Sequence, residues 1–216
     1  MPYRQVGFDN FGVYHVFNRG VNKQQVFNLE RDYQRFLQTL TYYRYQGPKP
    51  RFSNHHLFKI KDFSKNPKIV EVICYCLMPN HFHLLIRQLE NGGISEFMRK
   101  IGNSYTKYHN IKHRRSGPLF QGEFKAVAIE SDEQLLHVSR YIHLNPFIAD
   151  MVKDLESYPY SSYPVYLNLT QDLLISPKMV LDFFKSPLRY KEFVNDHADY
   201  AYRIGQIKHS LIDPED

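Results

Sequence analysis

Tryptophan is absent from the 216 residues, and cysteine occurs only twice, at Cys74 and Cys76. Two cysteines one residue apart cannot supply the framework of a disulfide-stapled secreted domain. In a strand they would share a face, too close along the backbone for an ordinary disulfide. Free thiols suit a reducing interior, so the expected compartment is the cytoplasm. No apolar run approaches the ~20 residues that span a bilayer, and no membrane partner is expected. The opening Met-Pro-Tyr-Arg-Gln-Val-Gly lacks the basic-then-apolar layout of a secretory leader. Internal repeats and low-complexity tracts are missing too, which removes the signature of a repeat architecture.

What the chain does have is charge and rings: a formal net charge of +6, with 17 tyrosines and 16 phenylalanines. Cations that meet phosphates and rings that stack on bases are compatible with nucleic acid. The same composition also describes an ordinary core under a solvated basic surface. At this length the chain can hold one sizeable core, or one domain with an extended tail.

Tyr14 to Asn18 reads as a strand ended by Arg19-Gly20. Between Asp32 and Tyr43 the apolar residues Tyr33, Phe36, Leu37, Leu40 and Tyr43 recur at helical spacing. Gly47 to Pro67, with its prolines, lysines and His55-His56, reads as an irregular basic insertion. Ile69 to Met78 is β-rich and apolar, the expectation for a central strand, and Pro79-Asn80 breaks it. His81 to Gln88 resumes as a strand, so the pair forms an antiparallel hairpin. Ile94, Phe97, Met98, Ile101, Tyr105 and Tyr108 mark a second helix, followed by the basic loop Lys112 to Gly117. Phe124 to Ile129 reads as a strand. Ser131 and Gln134 then stand at capping-box spacing before a third helix, which carries Leu135, Val138 and Ile142 up to Asn145-Pro146. The order strand, helix, strand, strand, helix, strand, helix predicts a ferredoxin-like α+β sandwich with a largely antiparallel sheet and helices on it. A partly helical C-terminal extension follows.

Chemistry enters with His81-Phe82-His83. Residues two apart on a strand point the same way, so both imidazoles face one side. Two neutral imidazoles are half of a divalent-metal site; a His-x-His pair can also arise by chance as a structural feature. On the third helix His137, Tyr141 and Asn145 share a face distinct from Leu135, Val138 and Ile142. A phenol beside a cation that polarises a phosphate becomes a usable nucleophile, and Asn145 could offer the ion an oxygen. The plainer alternative is a boundary tyrosine and an asparagine that stops a helix before Pro146. Tyr105 and Tyr108, the rival phenols, fall on an apolar stripe and read as core.

The segment Leu77-Met78-Pro79-Asn80-His81-Phe82-His83-Leu84-Leu85 closely resembles the HUH signature of single-tyrosine transposases. Tyr141-Ile142-His143-Leu144-Asn145-Pro146 resembles the helix that carries their nucleophile. Tyr14-His15-Val16-Phe17-Asn18-Arg19-Gly20 looks like their first strand, and Arg115 to Gln121 like the stretch before their fourth. Tyr158-Pro159-Tyr160-Ser161-Ser162-Tyr163 is similar to the branch associated with repetitive extragenic palindromes (REP). The resemblance runs from about Tyr14 to Tyr163, and the chain divides as residues 1–165, the nuclease domain, and 166–216, an extension of unassigned role.

The resemblance implies Mg²⁺ or Mn²⁺ held by His81, His83 and Asn145, with Tyr141 as nucleophile. In the insertion-sequence branch the third ligand is a glutamine; asparagine points to the REP-associated branch. The implied activity is cutting and joining of single-stranded DNA at hairpin-flanked sites, through a 5′-phosphotyrosine link, by a monomer or homodimer. Arg19, Lys112, Arg114, Arg115 and Lys125 are candidates for backbone phosphates. A non-catalytic nucleic-acid-binding protein on the same fold is the alternative. A metal-dependent hydrolase of small phosphoesters or amides is disfavoured, because Ile73 to Gln88 offers no Asp or Glu.

Overall fold

Alternation along the strands sorts side chains to two faces, and the computed structural model, which describes residues 7–47, 52 and 65–196, shows both faces covered. The elements run β1 (Val13–Arg19), α1 (Glu30–Tyr43), β2 (Val70–Met78), β3 (His81–Gln88), α2 (Gly93–Lys112), β4 (Lys125–Ile129) and α3 (Asp132–Ile148). Short helices α4 (Tyr163–Tyr166), α5 (Lys178–Leu181) and α6 (Pro187–Asn195) follow. The four strands lie in the order β2-β3-β1-β4, every pair antiparallel. This is the expected ferredoxin-like α+β arrangement. Most of the insertion between Gly47 and Pro67 lies outside the described residues.

One face packs on α1 and α2. Phe82 meets Phe36 of α1 at 5.1 Å between ring centroids, and Phe36 meets Tyr105 of α2 edge-on at 5.1 Å. Phe36, Leu40, Leu84, Phe97 and Tyr105 are all fully buried there. Truncating an aromatic in such a core costs about 3–5 kcal/mol. Tyr105 donates to the Val26 carbonyl at 2.6 Å and Tyr108 to Asp32 Oδ1 at 2.9 Å, so both rival phenols serve the core, as expected. Asp32 is the buried knot between α1 and α2. Its Oδ2 accepts the backbone N–H groups of Asn28 and Leu29 ahead of α1, and Lys112 Nζ lies 2.6 Å from its Oδ1. Burial pushes the carboxyl up, but Lys112, Tyr108 and the two backbone donors outweigh it and hold the pKa below the usual carboxylate range.

α3 lies on the other face, and its two ends show what sequence reading resolves and what it misses. At the start, Ser131 Oγ accepts the Gln134 N–H at 3.2 Å. Gln134 returns its oxygen to the Glu130 N–H rather than to Ser131, half of the expected capping box displaced by one residue. At the far end the helix runs past Asn145-Pro146 to Ile148, a correction. A proline forfeits only one intrahelical N–H, and the Ala149, Asp150 and Met151 N–H groups close the last turn onto Asn145, Phe147 and Pro146.

The C-terminal part seals the outer edge of β2. Leu77 N–H donates to the Tyr160 carbonyl, Ser162 N–H to Tyr75 and Ser176 N–H to Val72. Tyr158 adds its hydroxyl to the Leu77 carbonyl at 2.7 Å. The tyrosine- and serine-rich segment at 158–163 is therefore an edge cover. It also moors α3. His143 is fully buried, its Nδ1 2.7 Å from Tyr190 Oη on α6 and its Nε2 2.9 Å from Ser162 Oγ. Burial lowers its pKa to about 3. Cys74 and Cys76 are buried free thiols. Among the described residues no helix is long and apolar enough to cross a membrane.

Candidate active site

The β1–β3 register aligns Phe17 with His83 and Arg19 with His81, so these four side chains share the α3 face of the sheet. His81 opens β3 directly after the Pro79-Asn80 turn. Gly20, which ends β1 beside that turn, has no room for a side chain: a Cβ there would sit 2.2 Å from the Gln24 carbonyl. The His81 and His83 rings stand nearly perpendicular, 88°, with centroids 5.0 Å apart.

Tyr141 comes down onto them from α3. Its ring is edge-on to His83 at 5.5 Å and to His15 at 6.0 Å, and it remains 45% exposed. Asn145, one turn on, anchors its amide to the Tyr141 carbonyl at 2.8 Å. It also stands close enough to the His81 ring and the Tyr141 phenol to influence the protonation of both. Thus His81, His83, Tyr141 and Asn145, distant in sequence, meet in one place. His137 does not join them. It accepts from Arg140 Nη2 at 2.7 Å and faces Glu133.

Burial dominates the electrostatics. It lowers the His81 pKa to about 4, aided by the Arg19 cation and opposed by Asn145. It holds His83 well below the ordinary imidazole value, with His81 and His15 adding to the effect, and brings His15 to about 4. The imidazoles are neutral near pH 7, the form in which a ring nitrogen can be a ligand. Burial raises the Tyr141 pKa, and the Asn145 contact opposes that rise.

Among the described residues no group of three or more His, Cys, Asp or Glu is placed to hold a metal ion. A metal on this face would need a third donor of another type. The donor set fits that requirement. His81 Nδ1 is 2.6 Å from Asn80 Oδ1, which can only accept, so the N–H sits on Nδ1 and leaves the Nε2 lone pair available. Asn145 donates with its amide nitrogen and keeps a carboxamide oxygen to offer. Two imidazoles and one neutral oxygen suit a divalent cation that also takes phosphate oxygens.

The five candidate phosphate contacts separate. Arg19 and Lys125 are exposed on the α3 face of the sheet, Arg19 donating to Gln121 at 2.7 Å and Lys125 opposite Phe17 in register. Lys112 is engaged with buried Asp32. Arg115 braces its own loop through Gln24 Oε1 at 3.0 Å and the Pro118 carbonyl at 2.8 Å. Arg114 is exposed beside it. A cavity of about 1960 Å³ runs between α2 and the 114–127 segment to Phe17, bringing in Arg99 and Lys107, which composition alone could not place. Sequence reading also assigned no role to His15, although its place two residues before Phe17 puts it on the same face. Its Nε2 is 2.9 Å from His83 Nδ1. Strand register is what brings those rings together.

The profile of a family described as "Transposase IS200 like" matches residues 33–145, a span that includes both β3 histidines and ends on Asn145. A curated protein of Haemophilus influenzae, provisionally described as a REP-associated tyrosine transposase, is 28% identical over 104 residues. That match covers 43% of this chain and 58% of the relative's length. A solved structure of a REP-associated tyrosine transposase bound to a REP hairpin gives a TM-score of 0.57 at 15% identity. It covers 82% of this chain and 98% of that one, a likeness of fold.

Proposed function

From the premise that this chain belongs to the IS200-like transposase family, we propose that it cuts and rejoins single-stranded DNA at hairpin-flanked sites, with Tyr141 as the nucleophile. One observation carries the reading: the large, exposed side chain that α3 presents to the paired imidazoles is a phenol, with its ring 5.5 Å from that of His83. Asn145 lies within reach of both halves of the site.

His81, His83 and Asn145 would hold Mg²⁺ or Mn²⁺, which when bound neutralises charge on the scissile phosphate. The residues do the rest. Arg19 and Lys125, exposed on the α3 side of the sheet, receive the strand. Tyr141 Oη gives up its proton and bonds to phosphorus, while the bond from phosphorus to the 3′-oxygen breaks. That oxygen leaves as a 3′-hydroxyl, and the 5′-phosphate stays on Tyr141. The reverse attack by another 3′-hydroxyl releases the phenol and joins strands, so no nucleotide cofactor is consumed. The relative solved with a REP hairpin supports a hairpin substrate. Asn145 rather than glutamine supports the REP-associated branch.

The test is a labelled single-stranded hairpin incubated with the protein and Mg²⁺ or Mn²⁺, then denatured. A covalent adduct is expected from the wild type and none from Tyr141→Phe. Hairpin binding with no adduct under any metal condition would replace this reading with that of a non-catalytic binding protein.

A further inference from the structure

We propose that His15 is a positioning residue: by accepting the Nδ1 hydrogen of His83 it holds that imidazole in the tautomer whose Nε2 lone pair is free for a divalent cation. The inference rests on the metal reading of His81 and His83, and it deepens that reading. His15 lies outside the span matched by the family profile.

The two metal-facing histidines differ in how their tautomers are set. His81 meets an oxygen, Asn80 Oδ1 at 2.6 Å, and an oxygen leaves no choice: the hydrogen must be on Nδ1. His83 meets another imidazole. His15 Nε2 is 2.9 Å from His83 Nδ1, both residues are buried, and the rings stack within 25° at 5.1 Å.

A neutral imidazole has one N–H and one lone pair, so a pair of them shares a single hydrogen, and its direction fixes both rings. If His15 donates, His83 keeps its own hydrogen on Nε2 and presents an N–H to the cation site. If His83 donates, Nε2 is bare and can ligate. Only the second arrangement gives β3 two ligands, and it requires His15 to carry its hydrogen on Nδ1. Metal-ligating histidines are commonly oriented by such an outer partner, and its loss typically weakens metal affinity 10–100-fold. Here the partner comes from β1, and it also forms part of the wall against which Tyr141 stands, 6.0 Å away. A ring of phenylalanine could replace that wall, but not the lone pair.

The experiment uses the full chain. In metal-free ¹⁵N-labelled protein, two-bond proton–nitrogen correlations of the imidazoles, assigned with His83→Gln, are expected to show His83 protonated at Nδ1. Mn²⁺ binding, read by electron paramagnetic resonance, is expected to weaken 10–100-fold in His15→Phe. It should recover to within a few-fold of wild type in His15→Gln, whose carboxamide oxygen still accepts. Thermal melting and metal-free hairpin binding serve as controls for folding. His83 protonated at Nε2 in the wild type overturns the proposal, as does a folded His15→Phe that binds Mn²⁺ like wild type, or a wild type that binds none. If His15→Phe does not fold, the wild-type spectrum decides. A missing Tyr141 adduct would sink the nucleophile reading alone, since the tautomer and the Mn²⁺ affinity are measured without DNA.

Discussion

Tyr141 on the last helix of the core and His83 on the central hairpin meet edge to face, at 82° between ring planes. The phenol is half-exposed while the imidazole is buried, so their removal has separable consequences. Tyr141→Phe should abolish adduct formation while shifting stability by no more than about 0.5 kcal/mol, as surface changes do. His83→Ala should lose both the adduct and Mn²⁺ affinity and lower the melting temperature. Adduct assays run beside thermal melts check both halves.

Lys112 is expected to matter for folding rather than for DNA. Lys112→Met leaves Asp32 buried with Tyr108 and two backbone donors but without its cation, and should cost about 1–3 kcal/mol. The salt slope of hairpin binding should not change. A reduced slope with an unchanged melting temperature would return Lys112 to the DNA interface.

Asp32 itself gives a test in acid. Its pKa is held below the unfolded value, so its contribution to stability is fully present above about pH 4 and is lost as pH falls through the folded value. Wild type and Asp32→Asn, compared by urea melts between about pH 5 and pH 2.5, should converge at the acid end.

His143 has the opposite protonation logic but the same direction. The unfolded chain binds its proton below about pH 6.5, whereas the folded one resists until about 3. Stability should therefore fall on acidification across that interval, by up to about 1.4 kcal/mol per pH unit for this group. His143→Phe should be less stable at pH 7 and show a shallower fall; an identical pH slope would contradict this account.

The groove supplies a prediction about salt. Arg99, Lys107 and Arg114 line it, and removing one phosphate-binding cation should lower the slope of log affinity against log salt by about 0.7 for a single strand. The triple glutamine variant, titrated with hairpin DNA from low to moderate salt, should drop by about 2 in slope with little change in melting temperature.

Much of this was readable in the chain because alternation and helical spacing are local. His81 and His83 flank a buried Phe82, Tyr105 sits on an apolar stripe, and Ser131 announces α3; each needs only neighbours within a turn or a strand. What the chain concealed depends on register and on close packing. His15 meets His83 through strand pairing, Lys112 turns inward to Asp32 across two helices, and Pro146 is absorbed because α3 ends just beyond it. The placement of Tyr141 and Asn145 over the histidines was reached through resemblance, since their helical face alone fits an ordinary boundary residue equally well.

The tie from His143 to Tyr190 and Ser162 bears on where the Tyr141 end of α3 is held. A helix fastened from behind to α6 and to the cover of β2 would give up these buried contacts if it were lent to a neighbour. In this fold one chain alone brings phenol, imidazoles and carboxamide to a single workbench, and the buried imidazole behind the helix is what clamps the phenol's end of it in place.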